Sequence, residues 1–66
     1  MKLNAAKYLL YDETTKKYIT EIDENSAIYS KSINKAKRFS PIGAWYWNGY
    51  YSLFKGIVFE KIKENK

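Results

Sequence analysis

The chain has 66 residues, 18% of them aromatic, a formal net charge of +5, and neither cysteine nor histidine. That length allows one domain, spanning 1–66, with a small core. The missing cysteine excludes disulfide staples and thiolate metal sites, and the missing histidine excludes the usual imidazole base.

Charge is unevenly spread. Residues 1–24 carry four lysines against five acids, whereas 25–59 contain no acid but hold Lys31, Lys35, Lys37, Arg38 and Lys55. The start, Met1 to Ala6, has no apolar run of signal-peptide length. The longest uncharged stretch, Phe39 to Phe54, is sixteen residues, short of the ~20 that span a bilayer. These features point to a cytoplasmic protein that does not enter a membrane.

Residues Ala6–Tyr11 read as a strand, Asp12 to Lys16 as a polar turn, and Lys17–Ile22 as a second strand by alternation. Together they predict an antiparallel hairpin over 6–22. Asp23-Glu24-Asn25-Ser26 breaks the pattern, and Ala27-Ile28-Tyr29 reads as a short third strand. Ile33, Ala36 and Phe39 are spaced three apart, so a single helical or 3₁₀ turn would bring them to one face. Ile57–Ile62 alternates and predicts a last strand.

The stretch 41–54 has two readings. As a helix, Ser40 is the N-cap, Pro41 occupies the first helical position and Gly56 ends it. Ile42, Trp45, Tyr46, Gly49 and Leu53 then share one face, expected to meet the sheet, with Trp47, Tyr51 and Phe54 opposite and Lys55 one turn beyond Tyr51. As a hairpin over 43–54, Asn48-Gly49 supplies a two-residue turn between aromatic strand formers. The helix gives an α+β fold, a small antiparallel sheet of three to four strands packed on one helix. The hairpin gives an all-β protein. The helical reading predicts a core of Tyr8, Leu10, Tyr18, Ile22, Ile28, Phe39, Trp45, Leu53 and Phe59.

The pattern Tyr29-x3-Ile33-x2-Ala36-x2-Phe39-x4-Ala44, preceded by KYLLYDETTKKYITEID, resembles small uncharacterised proteins of phages and prophages of low-GC Gram-positive bacteria. The resemblance implies a ββαβ-like arrangement and favours the helix over 41–54. It carries no common activity, but it implies a setting of replication, regulation or defeat of host defences.

For chemistry, the serines lack an imidazole partner. The carboxylates of Asp12, Glu13, Asp23 and Glu24 fall in turns, where they read as solvated turn residues rather than metal ligands. Gly43 and Gly49 are not followed by the Lys-Ser/Thr of a phosphate loop. No catalytic, metal or cofactor site is expected. The remaining expectation is a non-enzymatic inhibitor or modulator of a host protein, anti-CRISPR-like by resemblance. Its contacts would come from Trp47, Tyr51, Phe54 and Lys55, residue types that often dominate interfaces. A second copy of the chain could occupy the same aromatic face. The alternative is single-stranded nucleic-acid binding by Lys31, Lys35, Lys37 and Arg38 beside stacking rings.

Overall fold

The computed structural model describes residues 7–64. The elements are β1 (Lys7–Asp12), β2 (Lys17–Ile22), β3 (Ala27–Ser30), a 3₁₀ turn at Ile33–Lys35, α1 (Pro41–Lys55) and β4 (Glu60–Glu64). The strands form one open antiparallel sheet in the order β3-β2-β1-β4. The helix covers one face, where Leu10, Ile19, Phe39, Ala44, Tyr51 and Phe59 make the core. The fold is therefore α+β, and the hairpin over 43–54 does not form.

Local chemistry accounts for the turns. Between β1 and β2, the Asp12 carboxylate accepts from the Thr14 N–H at 3.0 Å and the Thr15 hydroxyl at 3.1 Å. The Lys16 N–H closes the loop on the Asp12 carbonyl at 2.7 Å. Lys16 has φ 63°, a left-handed conformation that a side chain resists. Between β2 and β3, Asp23 Oδ1 accepts from the N–H groups of Asn25 and Ser26 at 2.8 and 2.9 Å.

The centre of the sheet is forked. Only Tyr11–Tyr18 and Asp12–Lys17 pair β1 with β2. Past them, the segment 37–39 bridges the gap. The Lys37 N–H donates to the Ile19 carbonyl at 2.9 Å, and Phe39 exchanges both backbone bonds with Tyr8 at 2.9 and 2.8 Å. This extended insert drives the Phe39 ring into the core. Ala36 is also buried, whereas Ile33 stays exposed, so the three residues do not all bury together.

Helix α1 has the ends its sequence describes. The Ser40 hydroxyl accepts from the Gly43 N–H at 3.0 Å, Pro41 sits in the first turn, and Gly56 takes a left-handed φ of 68° at the C-terminal end. That conformation suits glycine and stops the helix. Tertiary anchoring then overrides the turn preference of Asn48-Gly49. Asn48, in the helix and turned toward the sheet, accepts from the Phe59 N–H through Oδ1 at 2.9 Å.

The same bond corrects the expected strand over 57–62. The Phe59 donor goes to Asn48 and the Ile57 donor to the Tyr51 carbonyl at 3.1 Å. With those donors committed to the helix, ladder pairing to β1 begins at Glu60 and runs to Glu64. The expected first strand residue, Ala6, lies outside the described residues. Of the expected core, Leu10, Phe39 and Phe59 are buried and Tyr8, Tyr18 and Ile22 are half-buried. Ile28, Trp45 and Leu53 are exposed, which overturns their assignment to the core.

Candidate functional site

The apolar stripe read from the sequence exists, but it faces solvent. Ile42 is 77% exposed, Trp45 68%, Tyr46 45% and Leu53 77%, with exposed Gly49 among them. The opposite stripe, Ala44, Trp47, Asn48 and Tyr51, is the one that meets the sheet. The helix is thus turned by about half a revolution from its expected orientation.

Polar anchoring explains the inversion. A helix apolar all round offers no single preferred face, so the groups with fixed partners decide. Asn48 is held by the Phe59 N–H. The Tyr51 hydroxyl donates to the Asp23 carbonyl at 2.6 Å, while its ring lies 5.6 Å from that of Phe59. Burial pushes the Tyr51 phenol above its ordinary pKa, keeping it a proton donor. Ala44, small and fully buried, lets the helix approach β1 closely.

The expected partner-binding residues divide accordingly. Tyr51, 2% exposed, is core, and Trp47 is half-buried against the core cluster, so both lie on the sheet side of α1 rather than on its outer side. Phe54 is exposed on the flank of α1, its ring 4.8 Å from that of Tyr50. Lys55 is exposed, with Nζ 5.5 Å from the Tyr51 ring centroid. The outward set is Ile42, Trp45, Tyr46 and Leu53. Periodicity found these residues but could not assign their direction.

The basic segment is not assembled into one free cluster. Arg38 makes a two-point fork with Glu64, Nε to Oε1 at 3.0 Å and Nη2 to Oε2 at 2.9 Å. Its Nη1 donates to the carbonyls of Ile33 and Ala36 at 3.0 and 2.7 Å. The bond to Glu64 raises the guanidinium pKa further. Arg38 therefore clamps the insert to β4. Lys37 lies over the Phe39 ring at 5.7 Å, and Lys31 and Lys35 are exposed near the 3₁₀ turn.

The carboxylates also have structural occupations. Asp12 and Asp23 hold turns, and Asp23 is kept below its ordinary pKa by the backbone donors of Ser26 and Asn25. Glu60 is pushed up by a hydrogen bond shared with Glu13. A dent lined by Glu21, Ile22, Asp23, Ser26 and Ile28 holds ≈ 70 Å³, well under the ~300 Å³ at the lower end of small-molecule pockets. No described helix is long and apolar enough to cross a membrane.

Comparisons with family models, curated proteins and solved structures returned no match for this chain. The outer face of α1 consequently rests on its own geometry as the candidate site.

Proposed function

We propose that the chain is a non-enzymatic protein-binding module that engages its partner through the outer face of α1. The observation that carries this is one uncharged helix face presenting Ile42, Trp45, Tyr46 and Leu53 to water. Contiguous exposed apolar surface of this kind marks interaction sites, and Trp and Tyr supply much of the energy at them. The engagement of Asp12, Asp23 and Arg38 in turns and clamps supports a binding rather than a catalytic role.

The wider setting, a phage-type modulator of a host protein acting in the host cytoplasm, with anti-CRISPR-like inhibition as one form, belongs to this reading through the resemblance alone. The competing nucleic-acid reading rests on Lys31, Lys35, Lys37 and Arg38. The commitment of every Arg38 nitrogen to intramolecular bonds weighs against it.

The test is capture from host lysate by immobilised wild type and by Trp45→Ala/Leu53→Ala, with and without nuclease. Both side chains are exposed, so the double variant keeps the fold. The expected result is a protein band that survives nuclease and weakens by at least ~30-fold in the variant, the equivalent of ~2 kcal/mol at a hot spot. Equal capture by both proteins, or a band lost with nuclease, overturns the proposal.

A further inference from the structure

The outer face of α1 carries a spacing that binding in general does not require. Trp45 and Leu53 stand four residues on either side of Gly49. A contact between two copies of one surface must be self-complementary about a two-fold axis. An axis through Gly49 with the helices antiparallel meets that condition. It sets Trp45 of each copy over Leu53 of the other, and Ile42 of each over Gly56 of the other.

We propose that two copies of the chain pair through α1 in this antiparallel arrangement, crossing at Gly49. The proposal rests on the reading of this face as a docking surface: the second copy covers it in the free protein, and a partner protein that binds there competes with that copy. Three observations favour a second copy.

The first is Gly49 itself. A glycine inside a helix is destabilising relative to Ala. Within one copy nothing requires it, since an added Cβ would meet no atom within 4 Å. A close crossing point gives it a use. Without a side chain there, two helix axes can approach to ~8 Å, the near end of the packing range.

The second is charge. Lys55 is the only charged residue of α1, and it lies beside the inward-facing Tyr51 ring. Two identical faces of a +5 chain therefore meet without opposing like charges. A face built for phosphates or anionic headgroups would carry cations, and this one has none.

The third is area. The exposed parts of Ile42, Trp45, Tyr46 and Leu53 come to on the order of 500–550 Å². A standard interface buries ~800 Å² per partner. The face is therefore sized for a small, reversible dimer.

The experiment is sedimentation velocity from about 1 µM to about 1 mM, a range that brackets small interfaces, on wild type, Gly49→Ala, Trp45→Glu and Leu53→Lys. The expected wild-type mass doubles from 7.8 kDa as concentration rises, with a blue shift of tryptophan emission that Trp45→Phe removes. Gly49→Ala should melt higher yet dimerise at least tenfold more weakly. Trp45→Glu and Leu53→Lys should each be monomeric and folded. Mixed together they should form a dimer, because the antiparallel register brings the new Glu opposite the new Lys.

Wild type that stays monomeric overturns the pairing. So does a dimer indifferent to Gly49→Ala and Leu53→Lys, or a mixture that stays monomeric. A Trp45 blue shift produced only by phosphatidylglycerol vesicles also overturns it and assigns the face to lipid. If wild type is monomeric, capture by Trp45→Ala/Leu53→Ala still decides the docking reading, so the two can fail separately.

Discussion

The bond from the Phe59 N–H to Asn48 Oδ1, 2.9 Å long, ties α1 to the entrance of β4. Asn48→Ala removes the acceptor and leaves a part-buried backbone donor without its partner. Such an orphan costs about 1–3 kcal/mol. Alanine returns part of this, since it exceeds asparagine in helix propensity by roughly 0.6 kcal/mol. The net loss is about 0.5–2.5 kcal/mol. A 60–100-residue domain shifts by roughly 4–8 °C per kcal/mol, so Tm should fall by about 2–20 °C. Gly49→Ala, one residue away and with no atom within 4 Å of the added Cβ, should move the other way by roughly 0.5–1 kcal/mol. Thermal melts by circular dichroism at a concentration that keeps the protein monomeric would read both. Amide exchange adds a local reading, because the Phe59 amide should lose protection in Asn48→Ala before the amides of Leu9 and Leu10 do. An Asn48→Ala protein as stable as wild type, with Phe59 still protected, would refute the idea that this side chain fixes the rotation of α1.

Three further outcomes are expected. Tyr51→Ala should unfold the protein, since emptying a buried aromatic site costs ~3–5 kcal/mol, whereas Tyr51→Phe should cost only about 1 kcal/mol for the lost bond to Asp23; equal melting temperatures for Tyr51→Ala and wild type would place the ring outside the core. The Asp23 carboxylate has a folded pKa below its ordinary 3.8, so its stabilising contribution is complete above that value and is lost as pH falls through the lower folded value. Asp23→Ala should therefore melt lower than wild type at neutral pH and converge with it in acid, and a gap that persists in acid would locate the effect elsewhere. Lys16→Gly should stabilise by about 1 kcal/mol, because it relieves a left-handed lysine, and a fall in Tm would show that the Lys16 side chain contributes more than its backbone costs.

Much of the fold was legible because its signals are local. The β1–β2 hairpin follows from alternation on both sides of Asp12-Glu13-Thr14-Thr15-Lys16, and the bounds of α1 follow from Ser40, Pro41 and Gly56. What stayed hidden depends on partners distant in sequence. The start of β4 moved because Phe59 and Ile57 give their N–H groups to a helix that the strand pattern does not see. The insert at 37–39 was invisible because its pairing is with Tyr8 and Ile19, and nothing in the run Lys37-Arg38-Phe39 announces a sheet.

The candidate site shows the same division. Periodicity gathered Ile42, Trp45, Tyr46, Gly49 and Leu53 correctly onto one face. Its direction was misread because hydrophobicity does not discriminate between faces that are both apolar. The discriminating residues are Asn48 and Tyr51, whose polar atoms need buried partners. An asparagine on an otherwise apolar helix was the available signal. Arg38 reads from its lysine neighbours as part of a basic run, because its two-point fork with Glu64 is a long-range geometry.

The forked sheet has a consequence for synthesis on the ribosome. β1 emerges early, yet one of its edges can be completed only by β4, more than forty residues later, and much of the other by the insert at 37–39. Contacts of such long sequence separation form slowly and late. The β2–β3 ladder, in contrast, can close as soon as Ser30 is free. A nascent chain should therefore carry Leu9 and Leu10 on a half-paired strand until β4 clears the exit tunnel, a state open to pairing with other chains. Stalled chains ending before Glu60 should depend on ribosome-associated chaperones for solubility, and chains extended past Glu64 by a linker should not.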